Sequence, residues 1–427
     1  VESVSTTIRS TLRHGAILLS GNIGASLLGL LSLGLTARAL SIEQLGSLVV
    51  ALSIVTVIDK LCNFQSWQAY IKFTTDIKYG EIDLNQNWLY RFCLALDTLT
   101  AAIGTLLSLT TFYIAHTRFA MDYDIAIAGG ILSLTIATNI TGTFIGVLRL
   151  AKQYASLAKA NIAAAAVKLG FILLLYIYGA PYVYFCIAWA VGLITLNITT
   201  IIYGFKHADR APKTTTQNIT ARATIIRFVL ASNLQGSIKT VRKEGEVLLI
   251  GALLGTPAVA IYKIARQISQ ILARLTDPIA QTLLPTITEI LANNEISYYL
   301  EYRRRVHWIL GLSSASLCIV WAMGADWLIA FGFSDKYQPA VSLSIMLMIA
   351  ASIAGCFATL PVTLLAKGQA TTLLRLNSLS TIVYFIILPP SLIQFGVEAA
   401  GITAITYQLL WFVLLNRASS NALNLKA

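Results

Sequence analysis

Residues 182–205 read YVYFCIAWAVGLITLNITTIIYGF, a run of 24 without Asp, Glu, Lys or Arg; the next stretch, KHADRAPKTTTQNITARATI (206–225), is polar, basic and interrupted by Pro212. As a helix the first run reaches about 36 Å, at ~1.5 Å per residue, enough to cross a hydrocarbon layer of roughly 30 Å. The second cannot stay in lipid, where nothing would solvate its backbone or its charges. The switch at 206 therefore predicts a membrane helix emerging into water, near the midpoint of a 427-residue chain.

The same pattern extends in both directions. Hydrophobic residues make up 56% of the chain and charged residues 12%, against ~25% in a soluble globular domain. With a mean hydropathy of +0.72, the chain has more apolar surface than a soluble core can hide. Eleven further apolar runs, roughly 15–37, 47–70, 92–115, 124–148, 156–178, 226–254, 258–284, 306–331, 340–366, 373–392 and 397–416, bring the expected spans to twelve. This predicts an all-α integral membrane protein of two six-helix lobes, 1–205 and 226–427, joined by a linker at 206–225. A large soluble catalytic domain is excluded, and the chain is read as a non-enzyme. Leu40-Ser41, Leu45-Gly46 and Leu48 recur in kind as Leu254-Gly255, Val259-Ala260 and Tyr262, an offset of half the chain. Two lobes that start on the same side would be related by an axis along the membrane normal.

Charge sets the expected orientation. Twenty of the 31 Lys and Arg fall in segments on the side of both termini, and only Arg38, Arg118 and Lys336 on the other. The positive-inside bias places both termini in the cytoplasm and accounts for the net charge of +12 without nucleic acid. The first apolar run is too long, and too closely followed by others, for a cleavable signal peptide. Five scattered cysteines and four scattered histidines show no disulfide framework and no metal-ligand spacing, so no metal is expected. Gly21, Gly24 and Gly29 read as close helix-packing positions. Asn139-Ile-Thr and Asn197-Ile-Thr match a glycosylation pattern by chance, because they lie inside spans.

Apart from residues in the first few positions of a run, eight basic residues fall within the spans: Lys60, Lys168, Lys239, Arg242, Lys243, Lys263, Arg266 and Arg274. Each would cost about 2.5–3.5 kcal/mol facing mid-membrane lipid, so they must face an interior. On span 7, Ser232, Gln235, Lys239, Arg242, Lys243 and Glu246 share one face. On span 8, Lys263, Arg266, Gln267, Gln270, Arg274, Asp277 and Gln281 do the same, and on span 2 Ser53, Thr56, Lys60, Asn63 and Trp67 form a narrower stripe. Set against Asp59, Glu244, Glu246 and Asp277, the bases leave about four positive charges in excess. Two readings stand: a self-paired network, with Arg242–Glu246 and Arg274–Asp277 at ion-pair spacing, or a wet cationic cavity that accepts an anion. Glu244 lies off its stripe.

Two segments carry a family resemblance. GNIGASLLGLLSLGLTARALSIEQLGSLVVALSIV (21–55) and EVLLIGALLGTPAVAIYKIARQI (246–268), with Gly146-Val147-Leu148-Arg149 and Pro285, resemble the Wzx-type polysaccharide flippases of the MOP superfamily. Lys243 and Glu244 depart from the apolar run usual before the second segment. The resemblance implies a MATE-like, V-shaped pair of six-helix bundles in the bacterial inner membrane. It implies alternating access that moves an undecaprenyl-pyrophosphate-linked oligosaccharide, such as an O-antigen repeat unit. Lys168, Asp59 and Glu246 match a commonly basic and two commonly acidic family positions. The expected substrate site is Lys60, Lys168, Lys239, Arg242, Lys263, Arg266, Gln270 and Arg274, with Glu246, Asp59 and Asp277 as ion-coupling acids. No cofactor is expected beyond an H⁺ or Na⁺ gradient. Membrane lipid, a glycan polymerase and other polysaccharide-assembly proteins are the expected partners. The alternative within the superfamily is a multidrug or small-molecule antiporter, for which a basic cavity is the wrong polarity.

Overall fold

The computed structural model describes residues 4–64, 66–78, 84–208, 219–292 and 296–423; side chains are also left undescribed at 1–20, 219–223, 231–232, 234–239, 271–282, 284–285, 292 and 370. Fifteen α-helices follow in order: α1 Val4–Ala39, α2 Ile42–Cys62, α3 Ser66–Lys78, α4 Gln86–Phe119, α5 Tyr123–Ala137, α6 Gly142–Leu150, α7 Tyr154–Ile177, α8 Tyr182–Lys206, α9 Ile219–Leu254, α10 Thr256–Ala292, α11 Ile296–Phe333, α12 Ala340–Cys356, α13 Thr359–Ala366, α14 Ala370–Phe395 and α15 Glu398–Ala422. Among the described residues there is no β-strand.

The helices follow the twelve apolar runs one for one, except that runs 2, 4 and 10 are each a pair of shorter helices. Among the described residues, eight spans rather than the expected twelve are long and apolar enough to cross a membrane, and a ninth is formed if α5 and α6, bent by 48° at their junction, count as one. Large apolar side chains point outward, among them Leu106, Ile319 and Met323. That is costly in water and the requirement in lipid.

The chain divides into two compact units, Val1–Leu248 and Leu249–Ala427, so the division falls within α9. Of the expected linker 206–225, residues 209–218 lie outside the described residues. In the N-terminal unit, Ile225 and Val229 of α9 join Ala69, Phe73, Leu84 and Leu89 in one buried cluster.

Local sequence explains the helix ends. Ser41 caps α2, with its hydroxyl accepting from Gln44 N at 3.2 Å while Gln44 Oε1 accepts from Ser41 N at 3.3 Å. Asn85 and Asp122 cap α4 and α5 through Asn87 N and Asp124 N, each at 2.8 Å. Gly21 packs as expected, since a Cβ there would sit 2.4 Å from Ala158 Cβ. Gly29 does not, because nothing lies within 4 Å of that position and the glycine faces open space.

A second repeat emerges from the backbone. At the end of α6, Ala151, Lys152 and Gln153 donate to the carbonyls of Val147, Arg149 and Leu148. At the end of α13, Lys367, Gly368 and Gln369 donate in the same pattern to Thr363, Leu365 and Leu364. Lys152 (φ 56°) and Gly368 (φ 71°) both take the left-handed conformation that ends a helix. The fourth and tenth runs are thus built alike.

Candidate functional site

The breaks in runs 2 and 4 lie side by side in the N-terminal unit. Run 4 breaks over Thr138-Asn139-Ile140-Thr141 because side chains there replace the helical ladder. Thr138 Oγ1 donates to Thr135 O at 2.8 Å and Thr141 Oγ1 to Asn139 Oδ1 at 2.8 Å. Gly142 then restarts the helix where no side chain fits, since a Cβ would lie 2.1 Å from Ser66 Oγ and 2.9 Å from Asp97 Oδ1. In run 2, Asn63 leaves the helix with extended backbone (ψ 108°), and its N–H donates back to Asp59 O at 2.6 Å.

Two carboxylates hold the paired breaks. Asp59, at the end of α2, accepts from Asn139 Nδ2 with both oxygens, at 2.9 and 3.0 Å, and its Oδ2 lies 3.1 Å from Lys60 Nζ. Asn63 Nδ2 closes the group by donating to Asn139 O at 2.9 Å. On the other side of the break, Asp97 of α4 is fully buried. Its Oδ2 accepts from Thr143 N and Thr143 Oγ1, both at 2.7 Å. Thr143 is in the first turn of α6, whose own flanking Thr141 makes no side-chain cap, so Asp97 caps α6 from another helix. A carboxylate is suited to the partial positive charge at a helix N-terminus.

Beside the Asp59 node lies a cavity of about 450 Å³ within this unit. Its lining includes Asn22, Asn139, Asn161, Asn197, Thr56, Thr141 and Thr200, with Lys60 and Arg149 set against the single carboxylate of Asp59. Asn161 Nδ2 donates to Asn22 Oδ1 at 2.9 Å, and Asn197 Nδ2 to Thr138 Oγ1 at 3.0 Å. Arg149 lies 4.1 Å above the Trp67 ring, a cation–π contact, and has no carboxylate partner among the described residues. Gly146 lets α6 approach α3 closely enough for this stacking, since a Cβ there would lie 2.9 Å from Tyr70 Cδ1.

Among the site residues expected from sequence, Asp59 and Lys60 are brought together on this cavity. Lys168 is not in its lining; its ammonium sits 4.3 Å above the Trp189 ring, between α7 and α8. Arg242 is exposed and Glu246 half-buried on α9. On α10, Lys263, Arg266 and Gln270 are half-buried, and Arg266 Cζ lies 5.6 Å from the Tyr262 ring. The side chains of Lys239, Arg274 and Asp277 lie outside the described residues. Glu244, which had no role by sequence, accepts from Ser53 Oγ of α2 at 2.9 Å.

Sequence reasoning missed Asp97, Arg149 and the asparagines of the site. Asp97 lies inside run 3 and belongs among the embedded acids, as does Asp326 in run 9; counting them narrows the positive excess. Asn139 and Asn197, read only as chance glycosylation patterns, are polar nodes of the cavity. An acid or amide at the centre of an apolar run was the available signal. Among the described residues no cluster of His, Cys, Asp and Glu suits a metal ion.

Together the apolar spans, the paired broken helices and the interior polar cavity define a class: a multi-pass helical membrane protein with a polar cavity among its helices. An inward-facing multidrug resistance transporter of the MATE family in the MOP superfamily superposes with a TM-score of 0.70 at 12% identity, covering 94% of this chain and 96% of that one. The lipid II flippase MurJ, in an inward closed conformation, gives 0.71 at 12% identity, with 94% and 87% covered. The chain belongs to the family of polysaccharide biosynthesis proteins, whose family model matches residues 11–291. Inner membrane protein YghQ of Escherichia coli (strain K12) is 22% identical over 349 residues, 78% of this chain and 92% of that protein.

Proposed function

We propose that this protein is a flippase that moves an undecaprenyl-pyrophosphate-linked oligosaccharide, of the O-antigen repeat-unit type, across the bacterial inner membrane by alternating access. The observation that carries the reading is the cavity beside the paired breaks, in a chain of the polysaccharide biosynthesis family. Amides and hydroxyls suit sugar hydroxyls, and two cations against one acid suit a phosphate group. A multidrug exporter is the second reading within the same fold, and it loses on charge, because a cationic drug would meet Lys60 and Arg149.

In this reading Lys60 and Arg149 are the cations of the cavity, and Lys168, Lys239, Arg242, Lys263, Arg266 and Arg274, assisted by Gln270, are the further polar groups expected on the substrate path. Glu246, Asp59 and Asp277 are the candidates for coupling to an H⁺ or Na⁺ gradient. The protein performs no covalent chemistry, both termini lie in the cytoplasm, and a glycan polymerase receives the product. The test is transfer of a lipid-linked oligosaccharide between leaflets of proteoliposomes. Arg242→Ala and Arg266→Ala should reduce transfer at least tenfold with unchanged melting temperature, and Arg→Lys should recover part of it, because charge returns without the bidentate fork. Full transfer by both Ala variants removes these arginines from the substrate path. Transfer of cationic dyes but not of the glycan favours the exporter.

A further inference from the structure

Asp59 occupies the place an anionic ligand would take. Its carboxylate is buried, its two oxygens accept from one amide, and the Lys60 ammonium lies 3.1 Å from Oδ2. Both residues line the cavity, and the Lys60 side chain keeps 41% of its surface exposed against 12% for Asp59, so the cation is the more accessible of the pair. The same carboxylate fastens two discontinuous helices, because Asn139 belongs to the α5–α6 break and Asp59 to the end of α2. Donors that bind a carboxylate also bind a phosphate, and a more highly charged anion competes for them effectively.

We infer that the cavity of the N-terminal unit is an anion subsite for a phosphate-type headgroup, with Asp59 as its resident competitor. The incoming anion takes the Lys60 ammonium and the Asn139 amide, Asp59 is displaced, and the tie between α2 and the α5–α6 break is released. Loading and loosening of the broken helices then become one event: an anion that binds only the released arrangement shifts the protein toward it. Arg149, stacked on Trp67 at the same cavity, supplies the second cation. The inference rests on the flippase reading only for the identity of the headgroup.

The probe is inorganic pyrophosphate, added to the full chain in nanodiscs of neutral lipid. Cys62, the last residue of α2 and three positions beyond Asp59, reports the tie by its alkylation rate, with the other four cysteines replaced by Ala. Pyrophosphate should raise that rate several-fold, and Lys60→Gln should abolish the response. Asp59→Asn should bind pyrophosphate roughly tenfold tighter, since a charge-assisted competitor is removed, and should show fast Cys62 alkylation without ligand. Asp76→Asn, which removes a carboxylate paired with Lys72 outside the cavity, controls for general charge and should change neither.

An unchanged Cys62 rate with pyrophosphate in the parent protein overturns the displacement, whether or not Asp59→Asn folds. So does Asp59→Asn binding no tighter than Asp76→Asn. A Cys62 response to phosphatidylglycerol nanodiscs alone supports the subsite and assigns it to a bulk-lipid phosphodiester. A pyrophosphate response without glycan transfer in proteoliposomes sinks the transport reading and leaves the subsite standing. Transfer unaffected by Lys60→Gln, in a protein whose Cys62 ignores pyrophosphate, does the reverse.

Discussion

The fourth and tenth runs break at matching places and end in the same turn, yet the two breaks are held by different physics. In the N-terminal unit the α5–α6 break is tied by carboxylates: Asp59 on Asn139, and Asp97 on the first turn of α6. In the C-terminal unit the α12–α13 break, at Phe357-Ala358, is held by aromatic rings and hydroxyls. Phe357 stacks on Phe412 at 3.9 Å between centroids and meets His307 edge-on at 5.1 Å. His307 Nε2 lies 2.6 Å from Thr359 Oγ1, and Tyr299 shares a 2.5 Å hydrogen bond with Thr363. A repeated backbone device has been given an ionic fastening in one half and an aromatic one in the other. Ionic ties can be exchanged for a ligand's charge; stacked rings exchange with nothing the substrate carries. On the displacement inferred above, the first half is the responsive one.

The largest effect that can test this contrast is expected at Asp97. Asp97→Ala removes both hydrogen bonds to Thr143 and leaves buried donors without acceptors, a loss of about 3 kcal/mol seen as a fall in melting temperature. Asp97→Asn, close to isosteric, should keep most of the stability because one oxygen can still accept. If the Ala variant melts with the parent, the ionic fastening of the N-terminal break is not structural.

Phe357→Ala comes next, at about 2 kcal/mol, because the ring is half-buried and loses stacking together with apolar contact. Its effect on stability should be the same at low and high salt, whereas the Asp59–Lys60 contact should weaken with salt to the extent that its 41% exposed lysine is screened. A salt-sensitive Phe357 variant would erase the distinction between the halves.

The smallest expected effect is Tyr299→Phe, about 1 kcal/mol for one neutral hydrogen bond to Thr363. Measured with Thr363→Val in a double-mutant cycle, the coupling should equal that single bond and leave glycan transfer unaltered. A large change in transfer with little change in melting would make the C-terminal break a moving part as well.

Much of the architecture was legible in sequence because the demands of a membrane are local. A helix must span about 30 Å, so the apolar runs mark themselves, and most helix ends fall within a few residues of the expected limits. The start of α2 at Ile42, ahead of the expected limit, is set by the capping box of Ser41 and Gln44. The breaks were less legible. Thr138-Asn139-Ile140-Thr141 contains neither Gly nor Pro, and its Asn139-Ile-Thr reads only as a chance glycosylation pattern inside an apolar run. Only when Asn139 finds Asp59 and Gly142 finds Ser66 does leaving the helix become favourable. The basic stripes of runs 7 and 8 were legible as faces, but what those faces meet depends on packing.

By itself the sequence determined the class, an all-helical membrane protein. Hydrophobic matching, the 3.6-residue period and the charge bias act along the chain within one or two turns. Tertiary structure decided which polar groups share an interior. Thr143 and Asp97 are 46 residues apart, Asn139 and Asp59 are 80 apart, and Glu244 and Ser53 are 191 apart. A buried carboxylate in a low-dielectric interior must find donors wherever the fold supplies them. Which donors those are depends on how each helix is rotated about its axis, and that rotation is set by the packing of all the others.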